Sequence, residues 1–247
     1  MDTPFPTPAS FSSFSPPGMN IALVDVDIKE ELSRRPCRTP DYEAEHRALL
    51  QLAQAMAETP SEVLQKLIDI TCEICRAHTA GLSLLEMHNG EELFRWEAVA
   101  GRYASYRNNT MPRNASPCGT TVDRNVSQLM YMAERIFPTL KADPPVVEAL
   151  LLPFSLNGKA IGTIWVVAHD ETRKFDAEDE RIVTTLAQFA AAAWQLWSAR
   201  TAAECAQREL EDKVMELETF HDIVVGRELK MMALEKEVER LRTEKTT

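Results

Sequence analysis

Two apolar runs, residues 147–156 and 159–168, flank the dipeptide Asn157-Gly158. Asn and Gly tolerate positive φ, so this pair between hydrophobic runs marks a tight β-hairpin. Neither run alternates: one carries Leu150, Leu151 and Leu152, the other Ile164, Trp165, Val166 and Val167. A strand without alternation is covered on both faces. The chain must therefore build a layered domain, with helices against one face of a sheet and a loop-built pocket against the other.

The flanking patterns supply the layers. Leu49, Leu52, Ala53 and Met56 recur at helical spacing. Thr59-Pro60-Ser61-Glu62 reads as a capping box with proline at the first helical position, and the helix behind it ends near Ala77 or His78. Residues 81–87 and 92–99 flank Asn89-Gly90, a second hairpin. Residues 101–115 have no clear period and read as a long loop, and 127–132 fit a further strand. Ser116 caps a short helix with Pro117 at its first position, and Asp176 caps a final helix. The fold class is α+β: a mostly antiparallel sheet of about six strands flanked by helices.

The final helix keeps a seven-residue phase: Ile182, Phe189, Leu196, Ala203, Leu210, Leu217, Val224, Met231 and Val238, with companions Ala193, Phe220, Leu234 and Leu241. Such a sustained repeat among charged residues predicts a coiled coil and a parallel homodimer. Gly226 weakens the helix by about 1 kcal/mol relative to Ala, so a kink or break is expected there. At the other end, residues 1–18 alternate Pro, Ser, Thr and Phe, a composition expected to stay disordered, with Phe5, Phe11 and Phe14 spaced along it. The expected organisation is a tail and linker over 1–40, a domain over 41–200 and a coiled-coil helix over 201–247.

A net charge of -11 argues against nucleic acid as a partner, and no apolar run is long enough to span a bilayer. Residues 1–18 lack the basic start and apolar centre of a secretory signal, and 5 cysteines without a scaffold spacing indicate reduced thiols. A cytoplasmic protein is the expectation.

The stretch from Ser116-Pro117-Cys118-Gly119-Thr120-Thr121 through the 147–168 hairpin to Phe175-Asp176 resembles a GAF domain of bacterial sensor proteins, and the resemblance covers residues 41–200. It implies sensing, of a small ligand or of a redox change, rather than catalysis. Residues 210–241 resemble the linker helices that join sensor modules to kinase or cyclase outputs. On that resemblance the output, such as a histidine kinase, is supplied in trans. The resemblance names no ligand or cofactor. The pocket is expected between the 101–115 loop, the Ser116 helix and the strand carrying Trp165. Its candidate ligand-binding residues are Arg102, Tyr103, Arg107, Ser116, Cys118, Thr120, Trp165 and His169. Arginine and tyrosine suit an anionic or aromatic ligand, and free N–H groups at the helix start suit an anion or a carbonyl.

Rival chemistry centres on cysteine and histidine. Cys118 in the first helical turn is a candidate reactive thiol. Bilin-binding relatives follow this cysteine with histidine, and here Gly119 follows it. A GAF-type methionine-sulfoxide reductase would use Cys118 and need a second thiol within disulfide reach. Cys72-x-x-Cys75 with His78 lies inside a helix and reads as core packing rather than a zinc site. His169-Asp170 at a strand end is either a ligand or a hydrogen-bonded structural residue, and His221-Asp222 lacks the ATP-binding segment of a kinase. A ligand-free dimerisation scaffold is the remaining reading.

Overall fold

The computed structural model describes Leu23 and residues 26–140, 142–156 and 158–244. Asn157, the tail phenylalanines and the side chains of Ala193, Asp222, Val238 and Leu241 lie outside the described residues. Helices α1 (Glu31–Arg34), α2 (Tyr42–Glu58) and α3 (Val63–Ile74) come first. Strands β1 (Thr79–His88), β2 (Glu91–Gly101) and β3 (Thr110–Pro112) lead into α4 (Pro117–Arg124). Strands β4 (Gln128–Tyr131), β5 (Glu148–Leu156) and β6 (Lys159–Ala168) precede α5 (Ala177–Glu244). They form one six-stranded sheet, ordered β3-β2-β1-β6-β5-β4 and paired antiparallel throughout.

Local chemistry explains most boundaries. Asn89 (φ 50°) and Gly90 (φ 86°) both occupy the left-handed region, the requirement of a two-residue hairpin turn. Asp41 caps α2 by accepting from Ala44 N–H, and Ser116 caps α4 by accepting from Cys118 N–H at 3.1 Å. At α5, Asp176 Oδ1 accepts from Asp179 N–H at 3.0 Å and Asp179 Oδ2 accepts from Asp176 N–H at 2.9 Å. This reciprocal pair satisfies two donors and is worth about 1 kcal/mol per cap.

The sheet is covered on both faces, which is why β5 and β6 do not alternate. Leu82, Leu150, Ile164 and Val166 point into a core closed by Leu52, Leu67 and Ile68 of α2 and α3 and by Val183 and Leu186 of α5. Trp96, Met130, Leu151, Trp165 and Val167 point the other way, into a second core with Tyr103, Met111 and Cys118. A register shift between Leu82 and Ser83 leaves Glu97 as the extra residue on β2. That bulge puts Trp96 and Val99 in the second core with Ala98 in the first, reversing the inward phase within one strand.

Four expectations are corrected. The Thr59–Glu62 stretch forms a 3₁₀ turn, and Glu62 makes no side-chain cap bond to α3, which ends at Ile74. The 101–115 stretch is not one loop: its backbone returns to pair Thr110–Pro112 with β2. Helix α5 runs through Gly226 unbroken. The described part of the 1–40 linker packs into the domain, burying Val26 and Leu32 and pairing Asp27 with Met130 of β4. A linker-like composition conceals this because the partners lie about 100 residues away.

The chain divides into two compact units, Met1–Trp194 and Gln195–Thr247. The second is the continuation of α5, with Leu210, Leu217, Phe220, Val224, Met231 and Leu234 exposed.

Candidate functional site

The inner face of the sheet, under α4, encloses a cavity walled by Trp96, Tyr103, Met111, Cys118, Leu151 and Trp165, with Ser116 the polar residue at its margin. β2 contributes Trp96, β6 contributes Trp165, and the turn after β2 contributes Tyr103. Their rings form a cluster: Trp96 to Trp165 centroids 5.3 Å apart, Trp96 to Tyr103 6.5 Å, Tyr103 to His169 4.6 Å. The room left for a water-sized body is about 30 Å³, enough for one or two waters. The aromatic side chains therefore fill most of their own pocket.

A small polar cluster lies against Trp165, outside the cavity lining. Trp165 Nε1 donates to Ser83 Oγ at 2.8 Å, and Cys118 Sγ lies 3.8 Å from the same oxygen. Thr163, directly across from Ser83 on β6, is fully buried, and its Oγ1 has no hydrogen-bond partner. The indole of Trp165 covers Gly81, where a Cβ would overlap the ring. Gly119 is equally constrained, because a Cβ there would overlap the Arg113 carbonyl. A histidine after Cys118 cannot be accommodated without moving α4.

Burial pushes the Cys118 thiol up, and the nearby Thr163, Ser116 and Ser83 hydroxyls offset this only in part. Helix-start activation of a thiolate is therefore outweighed by desolvation. The first donors of α4 are also engaged: Cys118 N–H by Ser116 Oγ and Gly119 N–H by the Ser116 carbonyl. The expected free N–H groups for an anion are not free.

Four of the eight sequence candidates meet at this cavity: Tyr103, Ser116, Cys118 and Trp165. The others do not line it. Arg102 and Arg107 are exposed, and Arg107 donates to the Glu97 carbonyl on the outside. Thr120 donates to Pro117 O and Gln128 Oε1. His169 is a buried structural residue. Its Nδ1 donates to the Pro145 carbonyl at 2.9 Å, which leaves Nε2 to accept from Thr79 Oγ1 at 2.7 Å. Desolvation holds its pKa below the ordinary value. Trp96, Met111 and Ser83 were missed. Trp96 and Ser83 carry an alternation signal along their strands, but Met111 depends on the β2–β3 pairing.

Among the described residues, no group of three or more His, Cys, Asp or Glu side chains is placed to hold a metal. Cys72 donates to the Ala77 carbonyl, Cys75 is a buried thiol with a raised pKa, and His78 Nδ1 accepts from His169 N–H. Among the described residues, no helix is long and apolar enough to cross a membrane.

A family model described as GAF domain matches residues 57–195. The fold is similar to the GAF domain of a phosphoenolpyruvate-protein phosphotransferase from Acinetobacter: TM-score 0.54 at 14% identity, over 65% of this chain and 97% of that one. The Coxiella burnetii counterpart gives 0.54 at 18%, over 66% and 99%. A free methionine-R-sulfoxide reductase from Neisseria meningitidis, solved with its substrate, gives 0.52 at 14%, over 68% and 97%. No curated protein matches the chain.

Proposed function

This chain belongs to the GAF domain family, and from that premise we propose that it is a sensory module whose inner cavity, filled here by its own rings, opens by movement of that aromatic wall to take a small neutral aromatic ligand. The observation that carries this reading is the ring cluster of Trp96, Tyr103 and Trp165 enclosed between sheet and α4. With the arginines facing solvent and the α4 donors engaged, the wall favours an apolar planar group over an anion.

The output runs through α5. Its exposed Leu210, Leu217, Val224 and Met231 recur every seven residues, with Phe220 and Leu234 between them. In a single chain Leu217 is 67% and Phe220 65% exposed, and pairing two copies in parallel would cover this seam. Ligand occupancy shifts the sheet against the first turns of α5, and the dimeric helix passes this to an output partner in trans, such as a histidine kinase. A reductase role for Cys118 has less support. Cys75 packs in the core on the opposite face of the sheet, so the sheet itself separates it from Cys118 and the two thiols cannot pair without rearrangement.

The test is a titration of the full chain, labelled with 5-fluorotryptophan, with p-cresol as neutral probe and benzoate as anionic probe. A saturable shift of the Trp96 and Trp165 ¹⁹F resonances with p-cresol alone is expected, with Trp165→Phe assigning the signal. Equal response to benzoate would point to an anion site. No response to either would favour a filled core and a scaffold role.

A further inference from the structure

Residues 26–38 are held to the domain at two separate places. At the first, they extend the sheet: Tyr131 N–H donates to the Val26 carbonyl at 2.9 Å, and Ile28 N–H donates to the Leu129 carbonyl at 2.8 Å. At the second, Arg35 donates to both oxygens of Glu148, at 2.8 and 2.9 Å, and to the Phe175 carbonyl at 2.7 Å. Arg38 then reaches the two aspartates that cap α5. Its N–H donates to Asp176 Oδ2 at 3.1 Å, and its guanidinium lies 2.9 Å from Asp179 Oδ1.

The two carboxylates serve the helix start and Arg38, and Asp179 Oδ2 also accepts from Arg173 Nη2 at 2.5 Å. Asp176 Oδ1 and Asp179 Oδ2 close the capping box of α5, while Asp176 Oδ2 and Asp179 Oδ1 hold Arg38. The start of α5 is thus tied to a segment that also seals the β4 edge. The apolar anchorage of that segment is small: Val26 and Leu32 are its buried side chains. Segments with few buried apolar contacts open below the free energy of global unfolding. When the segment lifts as a unit, water reaches the arginines and their carboxylate partners together, so no isolated charge is stranded as it would be by truncation.

We infer that residues 26–38 form a clasp that opens independently of the domain core and, on opening, loosens the first turns of α5. The clasp is a second input to that helix, separate from the inner cavity. It works at the β4 edge and the β5 start, and it stands whether or not the cavity binds a ligand.

Thiol labelling of the full chain tests it. In a background of Cys37→Ser, Cys72→Ser and Cys205→Ser, a Leu32→Cys thiol reports clasp opening while the buried Cys75 and Cys118, resolved by peptide mapping, report core opening in the same molecule. Residue 32 is expected to label at least about tenfold faster than Cys75. Labelling at the Cys75 rate would overturn independent opening. Hydrogen exchange of Arg35→Lys/Arg38→Lys, which keeps charge but removes the planar fork, reads the coupling. Amides of residues 180–191 should lose protection while those of the β1–β2 hairpin keep theirs; if Arg38→Lys alone is the variant that folds, the same comparison applies to it. Unchanged α5 protection, or parallel loss in the hairpin, would reduce the clasp to a general stabilising contact.

Discussion

The indole of Trp165 lies across the bare Cα of Gly81, so the neighbouring strand provides the ring's seat. Ser83, two residues along the same strand, accepts the indole N–H at 2.8 Å. A missing side chain and a placed hydroxyl together fix the orientation of the ring that forms the cavity wall.

Gly81→Ala puts a methyl group into that contact. Overpacking of this kind costs about 1–3 kcal/mol. Urea unfolding should show a loss of that size, and tryptophan emission should shift to the red as Trp165 leaves its seat. Wild-type stability and emission would mean that the strand yields to the methyl group at no cost.

Arg35→Met leaves the fully buried Glu148 carboxylate with its main partner removed. Stranding a buried charge costs about 3–5 kcal/mol. Arg35→Met combined with Glu148→Leu should recover most of that loss, because no charge is then left unpaired. Deleting residues 1–40 should destabilise the domain, since it removes Val26, Leu32, Arg35 and Arg38 together. Equal stabilities for single and double variants would show that the pair carries no coupling energy.

Stability should fall as pH drops below about 6.5 because of His169. Burial lowers its pKa from the ordinary 6.5, with the Pro145 hydrogen bond opposing this. The unfolded imidazole takes up a proton first, so between the two pKa values the unfolded state binds more protons. This contribution is fully present above pH 6.5 and is lost as pH falls through the folded pKa. Melting temperatures between pH 7.5 and 5 should decline in the wild type and decline less in His169→Gln. Parallel slopes would remove His169 as the source.

Truncation after Arg200 should weaken self-association strongly, and Leu217→Asp should do so within the full chain. Sedimentation equilibrium reads both, and the isolated residues 1–200 should keep a cooperative melt. A truncated chain that associates with unchanged affinity would place the dimer contact outside the α5 repeat.

Local chemistry determined much of this protein without help from the tertiary structure. Asn89-Gly90 sets its hairpin because both residues accept positive φ, and Ser116 and Asp176 start helices through bonds to residues two or three positions away. The unbroken apolar runs of β5 and β6 require cover on both faces, and that alone implies the layers. Tertiary structure decided what depends on distant partners. Residues 26–38 look like a linker until Glu148, Asp176 and Asp179 are brought beside Arg35 and Arg38. The bulge at Glu97, set by β1–β2 register, sends Ala98 to the opposite core and brings Val99 to the side of Trp96. The same sheet geometry leaves Arg102 and Arg107 in water, where solvation outweighs anything an apolar cavity offers a guanidinium.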